Sequence, residues 1–542
     1  MVANTTNYTA IPPTEDGHVS PLKSPTRPRL HRILGAIVIV LAGSAIIGTI
    51  IVLGTKSQKE PKRNVIMMVS DGFGPASETF ARQFHCWRED LPVKSMLPLD
   101  EVHVGHSRTQ SSSSLVTDSA AGATAFSCGL KSYNGAIGVD PEETPCGTVL
   151  ESAKLHRNML TGLVVTSRVT HATPGAFSAH VAWRDWENQI AEQQIGHNPL
   201  GRTVDLMFGG GLCEFLSNTT QGSCRADQRD LLDEARTKFG WSISRTRAEF
   251  DTIADDAQLP LMGLFAPNHM AYEIDRVPSE EPSLKEMTQK ALAILKKASE
   301  KADTGFFLMI EGSRIDMAAH TNDPAAHIHD IWEYQQVFKI VREFVEANPN
   351  TVVISTSDHE TGGFTAGRQV GEDYPEYKWN PEVIHRVQNS SEQLAQVWAD
   401  AVQSNIASQD MLRNTIIHAG LGIDDPTDEE MQKLNEWNHH GKSVLDLAYL
   451  FADMVSRRAL IGWTTHGHTA VDVNLYAVGP GTEKLRGSHE NTEIGDFIVE
   501  YLDLDLDDIT RRLNDGSFYQ AAVRPDMRGQ DVRREAAHHY HG

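Results

Sequence analysis

Three short apolar runs in this chain each break off into side chains that bind cations. Val65–Val69 is followed by Ser70-Asp71-Gly72, Phe306–Ile310 by Glu311-Gly312-Ser313-Arg314-Ile315-Asp316, and Val352–Ile354 by Ser355-Thr356-Ser357-Asp358-His359-Glu360. With Leu163–Val165 they read as buried strands, and helix-like segments lie between them. Leu284–Lys301 is the clearest helix, with Leu284, Met287, Ala291, Ile294 and Leu295 on one stripe. Strands alternating with helices specify an α/β domain with a largely parallel sheet. In such sheets ligands bind beyond the carboxyl ends of the strands, so Asp71, Glu311 and Asp358-His359 are directed toward one crevice. Burying several carboxylates together is costly unless cations neutralise them. Any one of them could be a turn former or helix cap; the set points to a metal site.

Further ligands are within reach. A helix starting near Ile315 puts Asp316 and His320 one turn apart on one face. Trp463-Thr464-Thr465-His466-Gly467-His468, before the apolar run Val473–Gly479, adds imidazoles. Carboxylates mixed with imidazoles suit zinc, and a site of oxygens alone suits magnesium. In Val116-Thr117-Asp118-Ser119-Ala120-Ala121-Gly122-Ala123-Thr124-Ala125, small residues follow a serine at a helix N-terminus. Orphan amides and the helix dipole favour an anion there, and the absence of bulk admits a phosphate. Asp118 or Ser119 could equally be a plain cap of an Ala-rich helix.

Composition narrows the function. The 542 residues carry 72 acidic and 49 basic side chains, a net −23, which argues against nucleic acid as a partner. At 40% hydrophobic and 22% charged the chain is globular in composition. Five cysteines without C-x-x-C pairs rule against a thiolate zinc site.

The N-terminus is organised differently. Residues 1–32 are rich in Pro, Ser and Thr and read as a disordered tail. Residues 33–55 contain no charge and are long enough to span a bilayer as a signal-anchor helix, with 56–63 as linker. Lys23, Arg27, Arg29 and Arg32 before the span balance Lys56, Lys59, Lys62 and Arg63 after it, so charge does not orient it. Glycosylation triplets at Asn218 and Asn389, and a Cys213/Cys224 pair close enough to bridge, favour a cytosolic tail with the body lumenal or external. The pairing of Cys86, Cys128 and Cys146 stays open. Residues 524–542, charged and His-rich, read as a disordered tail, with removal as a propeptide left open.

These motifs resemble the alkaline phosphatase family from about Asn64 to Gly481, and in particular its fungal, vacuolar, membrane-anchored members. The Asp118-Ser119-Ala120 stretch is similar to the family's nucleophile signature, and Glu311…Asp316…His320, Ser357-Asp358-His359-Glu360 and His468 to its metal-binding segments. The resemblance implies a three-layer sandwich around a large, mostly parallel sheet, spanning 64–523, with 366–458 as an inserted cap or crown. It implies broad hydrolysis of small phosphomonoesters at alkaline pH through a phosphoserine intermediate on Ser119. Two zinc ions and one magnesium are expected: one zinc on Asp316, His320 and His468, the other on Asp71, Asp358 and His359, and magnesium on Asp71, Thr173 and Glu311. Arg184 would clamp the phosphate, Asp118 would orient it, and His171 would sit behind the ligands. His468 fits the ligand position better than His466 by its distance to Gly479-Pro480. Met317 departs from the family, where Lys or His is usual near the phosphate. A homodimer and a vacuolar location are also implied. The alternatives are a phosphodiesterase of the same superfamily or an inactive, membrane-anchored lumenal tether; a sulfatase would need a Cys-x-Pro-x-Arg motif that is absent.

Overall fold

The computed structural model describes residues 62–437 and 443–516. The tail at 1–32, the span at 33–55, most of the 56–63 linker and the C-terminal tail at 524–542 lie outside the described residues. Among the described residues, no helix is long and apolar enough to cross a membrane.

Among the described residues the twelve strands are β1 Asn64–Ser70, β2 His103–Arg108, β3 Leu160–Arg168, β4 Leu206–Gly210, β5 Ser242–Ser244, β6 Leu261–Leu264, β7 Phe306–Gly312, β8 Thr351–Thr356, β9 Glu360–Thr361, β10 His468–Thr469, β11 Val473–Val478 and β12 Gly487–Glu490. Ten form one sheet in the order β12-β2-β11-β8-β1-β7-β3-β4-β6-β5, parallel except where β11 runs against β8 and β2. The remaining two, β9 and β10, pair as a short antiparallel ribbon.

The central strands are apolar throughout because both faces of the sheet are covered. Along β1, Ile66 and Met68 join the core on one face, while Val65, Met67 and Val69 join the core on the other. Helices Leu284–Ala302 and Pro324–Ala347 pack into the first core. Helices Val149–Arg157 and Thr492–Leu502 pack into the second. The result is three layers. Helices between Pro381 and Ala459 add Leu394, Trp398, Ile416, Leu447 and Phe451 to the first core, so this region shares the sheet's interior instead of building its own.

Strands β8, β1, β7 and β3 are consecutive and mutually parallel. Their carboxyl ends therefore lie side by side on one edge of the sheet. Register fixes this closely, with Val69 of β1 opposite both Glu311 of β7 and Thr356 of β8. Covalently, Cys213 is joined to Cys224 and Cys128 to Cys146, leaving Cys86 as a thiol.

Candidate active site

Four adjacent strand ends deliver the ligands. Asp71 follows β1, Glu311 ends β7, Asp358 and His359 follow β8, and β3 leads to His171 and Thr173. Helix α1 (Ser119–Cys128) brings Ser119, helix α2 (Ala172–Ser178) brings Thr173, and helix α3 (Arg314–His320) brings Asp316 and His320. Strand β10 returns His468. These side chains are all buried except His468, which is partly exposed.

They fall into three groups whose ligand atoms converge: Asp316 with His320 and His468, Asp71 with Asp358 and His359, and Asp71 with Glu311 and His171. The first two contain the residues expected at the two zinc positions. In the third, His171 stands beside Asp71 and Glu311. Thr173 borders the same group: its hydroxyl helps hold the Glu311 carboxyl down, though no partner meets it with hydrogen-bond geometry.

Close packing explains the small residues. A Cβ on Gly72, at φ +72°, would sit 2.7 Å from the Asp316 Cα, and one on Gly122 would sit 2.9 Å from the Asp358 Cβ. The glycines let β1 and α1 press directly onto two of the acidic side chains.

The electrostatics are those of a site short of positive charge. Burial, then repulsion by Asp358, Asp316 and Glu311, pushes the Asp71 carboxyl well above the usual range. Burial likewise raises Asp358 and Glu311 to about 7 each. Burial opposes ionisation of Asp316, but His320, His468 and His359 prevail and hold it well below the usual range. Burial lowers His468 to about 4, and burial with His468 beside it holds His359 well below the usual imidazole range.

Two imidazoles are set as cation ligands. His320 Nδ1 meets the His466 carbonyl at 2.5 Å and His468 Nδ1 meets the Thr117 carbonyl at 2.8 Å, so each Nδ1 is the donor. Their Nε2 atoms are thereby left as lone-pair donors to a metal, and they face each other at 3.2 Å. Such a pair beside Asp316 wants a cation between its members. His466 takes another position: its Nδ1 approaches the His320 carbonyl and its ring stacks on Tyr449.

Ser119 Oγ lies 3.1 Å from His359 Nε2 and 3.5 Å from Asp71 Oδ1, buried at the first turn of α1. Asp118 both caps this helix and reaches across the crevice. Its Oδ1 accepts from the Ala121 amide, and its Oδ2 accepts from the Gly135 amide and from Arg184 Nη1. Arg184 Nη2 donates to His171 Nε2 at 3.1 Å. Met317 turns away into a small cluster with Tyr272, Ala318 and Ala326, its sulfur against Arg314.

Hydroxyls behind the ligands were not legible in the sequence. Ser313 and Ser167 donate to Glu311 Oε2 at 2.6 and 3.3 Å, and Thr361 donates to Asp316 Oδ1 at 2.5 Å. The only hint was their nearness in sequence to an acid or histidine, and surface serines share it. Of the glycosylation candidates, Asn218 is exposed, while Asn389 is half-buried with its amide toward Asp275.

The alkaline phosphatase family model matches residues 62–504. The chain belongs to the alkaline phosphatase family. The alkaline phosphatase of Schizosaccharomyces pombe is 50% identical over 476 residues, covering 87% of each chain. The repressible alkaline phosphatase of Saccharomyces cerevisiae is 45% identical over 525 residues, covering 91% of this chain and 92% of its own. The fold superimposes on the Thermus thermophilus alkaline phosphatase with a TM-score of 0.70 at 29% identity, over 82% of this chain and 92% of that one. Family and fold together support phosphomonoester hydrolysis by this alkaline phosphatase homologue.

Proposed function

We propose that the protein hydrolyses phosphomonoesters of broad structure at alkaline pH by way of a phosphoserine on Ser119, at a site holding two zinc ions and one magnesium. The observation that carries this reading is the convergence of three ligand groups around one buried serine. Orphaned atoms test the fit of the metals. Asp71 Oδ2, Glu311 Oε1 and Thr173 Oγ1 are buried without a hydrogen-bond partner, a costly arrangement that divalent cations would relieve. Asp316, His320 and His468 would hold one zinc, Asp71, Asp358 and His359 the other. Asp71, Glu311 and Thr173 would hold magnesium, with His171 behind them. Bound there, the cations supply positive charge that lowers the pKa of a hydroxyl and balances the charge of a departing alcohol.

The protein's own groups do the rest. Arg184 presents two N–H donors to two phosphate oxygens, a planar grip that lysine cannot offer. Asp118 and His171 hold the guanidinium in place. Ser119 Oγ attacks phosphorus, the bond from phosphorus to the alcohol oxygen breaks, and the phosphoryl group passes to the serine. Water then cleaves the phosphoserine and inorganic phosphate leaves. No residue of this set reads the alcohol, which supports broad specificity. Turnover of p-nitrophenyl phosphate, measured before and after chelation and after readdition of zinc and magnesium, tests the reading. Activity must fall on chelation and return only with the metals; activity indifferent to chelation contradicts it.

The same proposal places the enzyme as a single-pass membrane protein with residues 33–55 as anchor, 1–32 in the cytosol and the catalytic domain at 64–523 in the vacuole lumen, working as a homodimer. The uncharged run supports the anchor, and the two disulfides support a body outside the cytosol. Asn218, being exposed, is the stronger glycosylation candidate. Protease protection in intact vacuoles tests the topology, since only the short tail should be accessible.

A further inference from the structure

The geometry points to Trp183 as a stacking platform for a flat aromatic ring in the substrate's leaving group, which deepens the function proposed above and rests on it. Trp183 immediately precedes Arg184, and its ring lies on Gly135: a Cβ added there would fall 2.5 Å from the indole Cζ3 and 2.6 Å from Cε3. The amide of that same glycine donates to Asp118 Oδ2, which accepts from Arg184 Nη1. One loop thus carries both the indole and the phosphate clamp, and the indole rests on the glycine whose amide helps hold Asp118. The segment is firmly docked, since Val181 and Ile137 exchange backbone hydrogen bonds and Tyr133 Oη donates to the Ala182 carbonyl. The indole N–H donates to Asp185 Oδ2 at 2.7 Å, which fixes the ring and satisfies its one polar atom.

An immobilised indole with its N–H already paired has only apolar surface left to offer, and Trp183 remains 36% exposed. Two other exposed apolar side chains lie close to site residues along the chain. Leu115, 72% exposed, lies three residues before Asp118, and Val471, 47% exposed, lies three after His468. The Leu115 loop is tied to the same neighbourhood, because Asn134 Nδ2 donates to the Val116 carbonyl and the Asp118 amide donates to Asn134 Oδ1. Beside a site whose interior is polar and charged, an exposed indole face favours esters whose alcohol is itself flat and apolar. Stacking of a ring on an aromatic side chain is tolerant of the ring's identity, and suits an aryl phosphate or the base of a nucleoside monophosphate.

Binding of non-hydrolysable phosphonates to the metal-loaded full chain separates this inference from the catalytic reading, because it needs no turnover. Calorimetry compares naphthylmethylphosphonate with ethylphosphonate on wild type, Trp183→Ala and Trp183→Phe. The expected result is a preference for the aryl ligand that falls by about tenfold in Trp183→Ala and is largely kept in Trp183→Phe. In competitive turnover of naphthyl phosphate against glycerol phosphate, the same change is expected in the ratio of KM values, not of kcat, because stacking acts alike on bound substrate and transition state. Adenosine 5′-monophosphate against ribose 5-phosphate shows whether the ring served is a nucleobase. An unchanged aryl preference in Trp183→Ala overturns the inference, as does an equal loss for both ligands, which marks a packing role beneath Arg184. Absent turnover with the binding preference intact would instead contradict the proposed activity.

Discussion

Arg184 donates to Asp118 Oδ2 at 3.1 Å while both side chains are almost wholly buried, with 4% and 8% of their side-chain surface exposed. A buried guanidinium aimed by a carboxylate on one side and an imidazole on the other is already oriented before substrate arrives. Arg184→Lys keeps the charge and loses the fork. It is expected to weaken inorganic phosphate as an inhibitor, and to lower kcat/KM, by about ten- to a hundredfold, the worth of one to two charged hydrogen bonds. Steady-state kinetics with phosphate as inhibitor measure both; unchanged phosphate affinity contradicts the clamp.

Gly72 is a tight joint between sheet and site. Its positive φ and the 2.7 Å approach of a would-be Cβ to the Asp316 backbone leave no room for alanine. Gly72→Ala should cost about 1–2 kcal/mol from the backbone conformation alone. Because Asp316 must shift, activity should fall by more than that loss of stability explains. Thermal melting and kinetics on the same preparation test the pair of effects.

Metals should stabilise as well as activate. Filling one site at a thousandfold excess over its dissociation constant adds roughly 4 kcal/mol to the folded state. Chelation of the purified protein should therefore lower the melting temperature, with stepwise recovery on adding zinc and then magnesium. A melting temperature unmoved by chelation contradicts the metal assignment without reference to turnover.

A buried histidine–carboxylate pair outside the three ligand groups sets a pH dependence of stability. His180 Nε2 lies 2.9 Å from Glu151 Oε1 and its Nδ1 lies 2.7 Å from the Gly138 carbonyl, all buried. Both ring nitrogens face acceptors, so the cation is the form that fits. Burial opposes the charge, but Glu151 prevails and the His180 pKa is raised. A raised folded-state pKa gives stability that is complete below the unfolded value, about 6.5, and is lost as pH rises through the folded value. Wild type should lose stability relative to His180→Gln as pH rises above about 6.5, by denaturant titration. Glu151→Gln strands a buried charge and should cost about 3 kcal/mol.

Much of this architecture is legible in the residues. The central strands could be read because burial on both faces demands an unbroken apolar run, as in Val65–Val69 and Phe306–Ile310. Strands β2 and β12 could not: Gly487–Glu490 is an edge strand and His103–Arg108 lies next to it, both with exposed side chains where solvent removes the need for apolar ones. Strand β3 extends beyond the Leu163–Val165 run to Leu160–Arg168 because β7 and β4 pair with it on either side. The ligands were legible because carboxylates at strand ends are conspicuous. Ser167, Ser313 and Thr361 were not, since only the fold shows which hydroxyls lie against an acid. The Cys128–Cys146 bond joins the end of α1 to a loop 18 residues on, a proximity set by tertiary packing.

The account turns on Ser119 receiving the phosphoryl group. Wild type and Ser119→Ala, each loaded with zinc and magnesium, would be mixed with p-nitrophenyl phosphate, quenched in acid during turnover and analysed by peptide mass spectrometry. The account predicts one phosphoryl group on the peptide carrying Ser119 in wild type, none in the variant, and a loss of activity of about a thousandfold or more in the variant. Full activity in Ser119→Ala, or a phosphoryl group on another residue in wild type, would contradict it.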